Sequence, residues 1–426
     1  MPIRIVVGVN WGDEGKGRMV DYFSKDADVV IRFQGGNNAG HTVVNEFGTF
    51  KLHLVPSGIF YQHVTNVLGP GTVINLEAAA DELQQLISRG IQITSETYKI
   101  SDRAIICFPF HVLQDEYEEE RLGSGGFGST KQGIAPVYGD KYLKYGIQVG
   151  AIRYPDYLKA QIGRCIELKN RLFENVYRKP PVTVEAMFNW AMTFGGQLEP
   201  YVCDTIRLLE RAQQTRQRIL LEAQLGTLRD IHYGIYPYTT SSCPLSGFAA
   251  LGAGLFGAND ERLQVTGVMK AFSTCVGAGP FVTEIHGELA DSLRETAFEY
   301  GAKTGRPRRI GHFDAVASRY GAKLQNATEL ALTKLDCLSG QSSLKICTHY
   351  KIGDRLIENF PITPELSLAE PVYEELQGWD DDVSKIRRFE QLPAPAKLYI
   401  QRLEALVRVP IKYISVGPER KALIVR

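Results

Sequence analysis

The chain has 426 residues, of which 44% are hydrophobic and 23% charged, so its composition is that of a globular protein with a sizeable core. Basic and acidic residues number 48 each, and the formal net charge of zero argues against a non-specific nucleic-acid or membrane-surface binder. No apolar stretch approaches the roughly 20 residues that span a bilayer. The seven cysteines are scattered without a CxxC pair, which argues against a disulfide framework or a zinc site. We expect a cytoplasmic protein with neither a nucleic-acid nor a membrane partner.

Short apolar runs, many of them rich in β-branched residues, alternate with helical patterns along the chain. This alternation is typical of an α/β fold whose largely parallel sheet is covered on both faces. The predicted strands are Ile5–Val9, Val29–Phe33, Val67–Gly69, Ala104–Cys107, Leu330–Leu335 and Ile411–Ser415. The helical patterns between them include Leu76–Arg89 and Leu398–Val407.

The pattern becomes almost wholly helical between about Pro155 and Gln224, with Tyr157–Leu172 and Val184–Gln224 as candidate helices. No linker rich in glycine, serine or proline separates this stretch from the rest of the chain. We interpret residues 155–224 as a helical insertion within a single domain that comprises residues 1–426.

A glycine-rich segment follows the first predicted strand and precedes the amphipathic stretch Met19–Ser24. It reads Asn10-Trp11-Gly12-Asp13-Glu14-Gly15-Lys16-Gly17-Arg18. Its glycines allow backbone N–H groups to approach phosphate oxygens, the following helix adds its dipole, and Lys16 adds a positive charge. The segment departs from the GxxxxGK[ST] pattern, because Asn10 replaces the first glycine and Gly17 the Ser or Thr. The alternative is a turn that binds no ligand, but Asp13 favours a phosphate site in which a metal or a proton transfer requires an acid.

A second loop of small residues follows the second predicted strand. It reads Gln34-Gly35-Gly36-Asn37-Asn38-Ala39-Gly40-His41-Thr42. The glycines and asparagines favour a tight backbone with positive φ. His41 stands at the exit of this loop, where a functional role and a structural one are equally open.

The predicted strand Leu330–Leu335 ends in the tetrapeptide Thr333-Lys334-Leu335-Asp336. A carboxylate at this position can accept two hydrogen bonds from N1–H and the 2-amino group of guanine, a pair that adenine does not offer. The tetrapeptide alone is equally consistent with a solvated strand end. Together with the phosphate loop it predicts a guanine-nucleotide site at the carboxyl edge of the sheet, with Val416-Gly417-Pro418 on the other side of the base.

A basic loop spans Gly301–Arg309 and packs four cations into seven positions. Such a loop is either a solvated charged surface or a clamp for carboxylates, since the arginine fork matches a carboxylate in two hydrogen bonds. The two flanking glycines allow the loop to move.

Together these segments resemble the adenylosuccinate synthetase family from residue 3 to about residue 420. Six motifs recur in the family's order and spacing: WGDEGKG (Trp11–Gly17), NAGHT (Asn38–Thr42), VGAGPF (Val276–Phe281), TGR (Thr304–Arg306), TKLD (Thr333–Asp336) and GP (Gly417–Pro418). The resemblance implies a P-loop-related α/β fold that is active as a homodimer. It also implies a ligase that condenses IMP with L-aspartate through 6-phosphoryl-IMP, with GTP as co-substrate and Mg²⁺ as cofactor.

The resemblance also assigns roles to individual residues. Asp13 would take the N1 proton and bind the metal together with the Gly40 carbonyl, His41 would act as general acid, and Lys16 would neutralise charge on the transferred group. The implied GTP ligands are Gly12, Glu14, Gly15, Lys16, Gly17, Arg18, Gly40, Thr42, Arg308, Lys334, Leu335, Asp336, Ser415, Val416 and Gly417. The implied purine-nucleotide ligands are Asn38, Ala39, Thr130, Thr240, Arg306 and Lys144 of the partner subunit. The implied aspartate ligands are Lys303, Thr304, Gly305, Arg306 and Arg308.

Several positions depart from the family's pattern. Leu225 aligns with the glutamine that supports the six-position of the purine, and Gln224 lies one place earlier. Lys144, Lys303 and Pro307 also replace the family's usual residues. Because these changes surround the purine and amino-acid sites, two alternatives stay open. One is a paralogue that acts on GMP, dGMP or another amino acid, and the other is a GTP-binding module without catalysis.

Overall fold

The computed structural model describes residues 3–38, 40–256, 263–301 and 305–426. Its strands are β1 (Ile3–Gly8), β2 (Val29–Arg32), β3 (His41–Asn45), β4 (Gly48–Leu52), β5 (Thr65–Leu68), β6 (Val73–Ile74), β7 (Tyr98–Ser101), β8 (Ile105–Ile106), β9 (Val202–Cys203), β10 (Ile219–Glu222), β11 (Leu263–Lys270), β12 (Ser273–Cys275), β13 (Glu284–Ile285), β14 (Arg309–Gly311), β15 (Phe313–Asp314), β16 (Glu329–Thr333), β17 (Gln341–Ile352), β18 (Arg355–Ile357), β19 (Glu370–Trp379), β20 (Ile411–Ser415) and β21 (Leu423–Val425). Its α-helices are α1 (Lys16–Ser24), α2 (Leu76–Ser88), α3 (Pro109–Leu122), α4 (Ile134–Tyr142), α5 (Pro155–Leu172), α6 (Val184–Leu198), α7 (Thr205–Gln214), α8 (Ala249–Ala253), α9 (Glu288–Thr296), α10 (Ala315–Leu324), α11 (Thr363–Leu366) and α12 (Ala394–Val407).

The central sheet contains ten strands of the described residues, in the order β21-β20-β16-β11-β1-β10-β2-β5-β7-β9. Neighbouring strands are parallel throughout, except that β21 runs antiparallel to β20 at one edge. The prediction of an α/β fold with a largely parallel sheet is therefore confirmed.

Helices cover both faces of this sheet, and strand β1 shows how the sequence produces this arrangement. Ile5 and Val7 pack with α7 and α8 on one face, whereas Val6 packs with Met19 and Val20 of α1 on the other. All three strand side chains are buried, because successive residues of a strand point to opposite faces and both faces are covered. A continuous apolar run is the sequence pattern that such a strand requires.

The predicted helix Val184–Gln224 is wrong in its second half. Helix α6 ends at Leu198, α7 follows, and Ile219–Glu222 forms strand β10, which lies between β1 and β2 in the centre of the sheet. Three apolar residues in a row, Ile219–Leu221, have no period that distinguishes a buried strand from a helix, so the neighbouring helices dominated the prediction. The helical stretch therefore ends before β10 begins.

Parallel strands place their carboxyl ends at the same edge of the sheet. The loops that follow β1, β2, β10, β11, β16 and β20 therefore meet at one edge. Strand β16 ends at Thr333, two residues earlier than predicted, so Lys334–Asp336 belong to the loop at this edge. Smaller sheets, including the β3–β4 hairpin and the β15–β17–β18–β19 sheet, were not predicted.

A helix that crosses a bilayer must be both long and apolar. Among the described residues, none of the helices combines the length and the apolar character that crossing a bilayer requires.

Candidate active site

The loop between β1 and α1 turns sharply at three positions in the left-handed region of φ. Gly12 has φ of 102°, Asp13 of 58° and Gly15 of 98°. Glycine adopts these angles without strain, whereas a non-glycine residue at positive φ is uncommon and tends to mark functional sites. The backbone at Asp13 therefore adopts a conformation that is uncommon for a residue other than glycine.

The donors of this loop converge on a carboxylate of the loop itself. Glu14 Oε1 accepts hydrogen bonds from the backbone N–H groups of Asn10 (3.1 Å) and Gly12 (2.8 Å), and Glu14 Oε2 lies 2.6 Å from Lys16 Nζ. The Glu14 and Lys16 side chains are each only 2% exposed. The loop thus gathers backbone donors and an ammonium group around one negative charge, which is the property that a phosphate cradle needs.

His41 packs directly against the first turn of α1. A Cβ at Gly17 would lie 2.6 Å from the Cβ of His41, so a larger residue at position 17 would displace the histidine. His41 Nδ1 lies 2.5 Å from Glu222 Oε1, and the same carboxylate accepts hydrogen bonds from the Ser57 hydroxyl (2.6 Å) and backbone N–H (2.9 Å). His41 Nε2 is buried without a partner among the described residues. Glu222 therefore fixes one ring nitrogen and leaves the other available.

The charges of this pair follow from burial and from their neighbours. Burial lowers the pKa of His41, although the Glu222 carboxylate pulls it in the opposite direction. Burial alone would raise the pKa of Glu222, but the hydrogen bond from His41, together with the positive charge of Arg32, holds it below its usual range. Both shifts favour an ionised carboxylate beside a neutral imidazole. Glu222 was missed from the sequence because strand β10 was predicted as helix.

The predicted guanine-site residues come from the ends of two adjacent strands, β16 and β20. The Leu335 N–H donates to the Ser415 carbonyl (3.3 Å), which joins the Lys334–Asp336 loop to the Ser415–Gly417 loop. Thr333 Oγ1 donates to the Glu14 carbonyl (2.6 Å) and ties both loops to the phosphate-loop segment. Burial raises the pKa of Asp336 against the opposing charge of Lys334. The Asp336 side chain is half-buried.

The Arg18 guanidinium connects α1 to the C-terminal part of the chain. It donates to the carbonyls of Glu419 and Ala422, at 2.8 Å each. Arg18 thus fixes the segment that follows Gly417 against α1. Thr42, by contrast, is an exposed residue of β3.

The basic loop reaches the site through Arg308. Arg308 Nη2 lies 3.0 Å from Asp13 Oδ2, and Arg308 Nη1 lies 2.6 Å from Glu299 Oε2. Gly305 and Arg306 are exposed, and Gly305 has φ of 64°. The predicted ligands Ala39, Lys303 and Thr304 lie outside the described residues.

The predicted purine-side residues lie on loops that contact one another. Asn37 Nδ2 donates to Gln132 Oε1 (2.9 Å) and joins the Asn38 loop to the loop that carries the half-buried Thr130. A Cβ at Gly128 would lie 3.7 Å from Arg306 Nη1, so Arg306 reaches the same loop. These contacts bring Asn38, Thr130 and Arg306 to one side of the site.

Arg229, which sequence reasoning did not single out, organises a further part of this side. Its backbone carbonyl accepts the Thr240 N–H (2.8 Å), and its guanidinium donates to the carbonyls of Tyr238, Val276 and Ala278. Arg229 thus clamps the Thr240 loop to the VGAGPF segment. A single arginine in a helical or loop pattern carries no sequence signal for such a role.

Comparison with known proteins bears directly on this arrangement. The family model for adenylosuccinate synthetase matches residues 5–424 of the chain. The chain belongs to the adenylosuccinate synthetase family. It is 48% identical to adenylosuccinate synthetase 2 of Pseudoalteromonas translucida over 428 residues, which cover 100% of both chains.

Two solved structures resemble the chain to different degrees. The fully ligated adenylosuccinate synthetase of Plasmodium falciparum superposes with a TM-score of 0.93 at 33% identity and covers 100% of both chains. The succinoaminodeoxyadenylate synthetase of cyanophage S-2L, bound to dGMP and dATP, superposes with a TM-score of 0.60 at 18% identity, covering 100% of this chain and 95% of that one. The likeness to the cyanophage enzyme shows the fold alone.

Two positions that depart from the adenylosuccinate synthetase pattern have different surroundings. Gln224 is buried, its Nε2 donates to the Gly36 carbonyl (2.8 Å), and its own carbonyl accepts from Gln34 Nε2 (2.8 Å). Leu225 has φ of 58°, and its Cα lies 3.4 Å from the position of a Cβ at Gly12. Gln224 therefore ties β10 to the small-residue loop, while Leu225 lies next to the first loop.

Lys144, the predicted partner-subunit ligand, lies apart from these loops. It follows α4, is exposed, and has φ of 67°. Its side chain forms no hydrogen bond or ion pair with any described residue. The two preceding side chains, Tyr142 and Leu143, are also exposed, by 73% and 65%.

The two predicted metal ligands are both oxygen donors, as Mg²⁺ prefers. Asp13 supplies a carboxylate whose Oδ2 is paired with Arg308, and Gly40 supplies a backbone carbonyl. The described residues contain no group of three His, Cys, Asp or Glu side chains that could hold a metal ion by themselves. This donor set fits Mg²⁺, which keeps several waters and is often shared with substrate phosphates.

Proposed function

We propose that the chain is a GTP-dependent carbon–nitrogen ligase that forms adenylosuccinate from IMP and L-aspartate in purine nucleotide biosynthesis. The observation that carries this proposal is the position of Asp13. Its carboxylate projects from the loop whose donors hold an anion, and it contacts Arg308 of the basic loop. Family membership over residues 5–424 supports the same reaction and the use of GTP.

The first step activates the six-oxo group of IMP, which is a poor leaving group. Asp13 removes the N1 proton, so that negative charge develops on O6 and O6 attacks the γ-phosphoryl group of GTP. The bond from the γ-phosphorus to its bridging oxygen breaks, GDP leaves, and 6-phosphoryl-IMP forms. The carboxylate must lie within hydrogen-bond reach of N1 for this proton transfer.

Cationic groups stabilise the charge on the transferred phosphoryl group. Lys16 is held in the first loop by Glu14, and His41 Nε2 is the unpartnered nitrogen beside that loop. The negative charge of a bound triphosphate favours the imidazolium form. The Nδ1–H of His41 donates to the Glu222 carboxylate, and Nε2–H donates as general acid. In this account Glu222 orients His41 without touching the substrate.

The second step joins the amino acid to the purine. The amine of L-aspartate attacks C6 of 6-phosphoryl-IMP, and the C6–O bond breaks. The new C6–N nitrogen loses a proton, and phosphate leaves with that proton. Residues 303–308 bind the carboxylates of L-aspartate through Lys303, Thr304, Gly305, Arg306 and Arg308. Asn38, Ala39, Thr130, Thr240 and Arg306 hold the nucleotide.

The remaining ligands complete the site. Asp13 and the Gly40 carbonyl would hold Mg²⁺, which would neutralise phosphate charge. Asp336 accepts the N1–H and 2-amino hydrogen bonds of guanine, with Lys334, Leu335, Ser415, Val416 and Gly417 around the base. Gly12, Glu14, Gly15, Gly17, Arg18 and Thr42 complete the binding of GTP.

The chain acts as one domain and as a homodimer in the cytoplasm. Lys144 is exposed beside Tyr142 and Leu143, two exposed side chains that a contact between subunits would cover. Lys144 of the partner subunit then reaches the phosphate of the purine nucleotide.

A substrate matrix tests this function. IMP, GMP and dGMP are each incubated with L-aspartate, GTP and Mg²⁺, and the products are followed by mass spectrometry. We expect adenylosuccinate from IMP alone. Product from GMP or dGMP alone would contradict the proposal in favour of the paralogue, and no product from any nucleotide would favour the binding module.

A further inference from the structure

A buried carboxylate outside the assigned ligands links three parts of the site. Glu299 follows α9 and is fully buried. Its Oε1 lies 2.7 Å from Lys270 Nζ and 3.9 Å from Lys334 Nζ, and its Oε2 lies 2.6 Å from Arg308 Nη1. One carboxylate therefore contacts the end of β11, the predicted guanine side and the basic loop.

The cations around Glu299 keep it ionised despite its burial. Burial alone would raise the pKa of Glu299, but the positive charges of Lys270, Arg308 and Lys334 lower it to about 2. Lys270 is itself buried, and its ammonium also donates to Thr274 Oγ1 (2.7 Å). Lys270 and Thr274 lie on strands of two sheets, so the carboxylate rests on a fixed support.

The backbone reinforces the same connection to the basic loop. The Arg308 N–H donates to the Glu299 carbonyl (2.9 Å), and the Gly301 N–H donates to the Arg306 carbonyl (2.8 Å). The two ends of the basic loop are thus paired beside Glu299. The other terminal nitrogen of Arg308, Nη2, faces Asp13 Oδ2 at 3.0 Å. The guanidinium is therefore held on one side by Glu299 and presented on the other to the first loop.

We propose that Glu299 is a positioning residue that fixes the Arg308 guanidinium for the amino-acid substrate. This inference rests on the proposed function, in which Arg308 binds a carboxylate of L-aspartate. Without a charged partner at Nη1, the guanidinium can adopt other directions, and a bidentate contact with a carboxylate depends on its direction. The loss should therefore appear in the binding of L-aspartate and much less in that of IMP.

A purely structural ion cluster would behave differently, and the chain offers a matched control. Glu329 is also buried and ion-paired, to Arg4 (2.7 Å) and Lys412 (3.2 Å), but it begins β16 and so lies at the opposite edge of the sheet. Glu329→Gln removes a buried negative charge from the same sheet without changing the basic loop. Glu299→Gln and Glu329→Gln are both expected to lower the melting temperature.

Steady-state kinetics of the full chain with IMP, L-aspartate and GTP distinguish the two roles. In Glu299→Gln we expect the KM for L-aspartate to rise by about tenfold or more, and the KM for IMP to change by less than about threefold. Glu329→Gln should leave both KM values near those of the wild type. Glu299→Asp keeps the charge, so it should preserve the buried ion pairs and the fold. Because its side chain is shorter, it should still raise the KM for L-aspartate, by a smaller factor than Glu299→Gln.

Two outcomes would overturn the inference, and they are distinguishable. If the wild type is active and both Glu299 variants bind L-aspartate with the wild-type KM, the positioning role is wrong and the proposed function stands. If the wild type makes no product from IMP, the proposed function fails and this inference fails with it.

Discussion

His41 Nδ1 lies 2.5 Å from the Oε1 atom of Glu222, a residue that occupies the end of the central strand β10. The contact leaves His41 Nε2 as the nitrogen that can face a phosphate. A carboxylate in this position both selects the tautomer and stabilises the imidazolium when it forms. The sequence places these two residues far apart, and only the parallel sheet brings them together.

Glu222→Gln should therefore lower kcat while leaving GTP binding nearly unchanged. Glutamine can still accept the Nδ1 hydrogen bond, but it lacks the charge that stabilises the imidazolium, and we expect a loss of about 10²-fold in kcat. Ser57→Ala is the control, since it removes a hydroxyl donor to the same carboxylate and keeps the contact with His41. A wild-type kcat in Glu222→Gln would show that His41 needs no orienting carboxylate.

Asp336→Asn should reduce the preference for GTP over ATP. The asparagine amide cannot accept both guanine donors, and hydrogen bonds to a charged group contribute about 1.5–3 kcal/mol each, so we expect the affinity for GTP to fall by about tenfold or more. The measurement is the ratio of the two dissociation constants by calorimetry. Glu419→Gln, an exposed acid near the same loop, serves as the control. An unchanged ratio would remove Asp336 from the guanine pocket.

Asp314 predicts a pH dependence of stability that is independent of the active site. It caps α10 through the Ala317 N–H and accepts a hydrogen bond from the Tyr350 hydroxyl (2.6 Å), and burial raises its pKa to about 6 from the model-compound 3.8. A raised carboxyl pKa means that the folded state binds the proton more tightly. Its stabilising contribution is therefore complete below about pH 4 and is lost as the pH rises to about 6.

Asp314→Asn removes this titration while keeping the cap. The free energy of unfolding of the variant minus that of the wild type should rise by up to about 3 kcal/mol from pH 4 to pH 7. Urea unfolding at a series of pH values measures this difference. A difference that stays constant with pH would contradict a raised pKa at Asp314.

Subunit mixing tests the role of Lys144. If Lys144 acts across the dimer, a heterodimer of Lys144→Ala and Asp13→Asn subunits has one site with both substitutions and one with neither. Random mixing of equal amounts makes half of the dimers heterodimers, so about a quarter of all sites are restored. Activity that stays at the level of the separate variants would place each site within a single chain.

The sequence predicts much of this fold because its strongest signals are local. Ile411–Ser415 is a strand as predicted, and Leu76–Arg89 contains a helix that is shorter by one residue. The glycines of the first loop also indicate its turn, since Gly12 and Gly15 adopt positive φ. Such signals depend on backbone preferences that act within a few residues.

The remaining features of the site depend on contacts between distant segments. Strand β10 is only four residues long and obtains its conformation from its neighbours in the sheet, so Glu222 had no local signal. The pairing of Arg308 with Asp13, and of Glu299 with Lys270, likewise joins distant segments that only the folded sheet brings together. Periodicity reports the local structure of each segment but not which loops meet.

The proton transfer by Asp13 is the central claim, and Asp13→Asn tests it most directly. Asparagine keeps the shape of the side chain but cannot act as the base, so we expect kcat for adenylosuccinate formation from IMP, L-aspartate and GTP to fall by about 10²–10⁴-fold. The affinity for GTP, measured by calorimetry on the same preparation, should change little. Near wild-type turnover in Asp13→Asn would contradict the account.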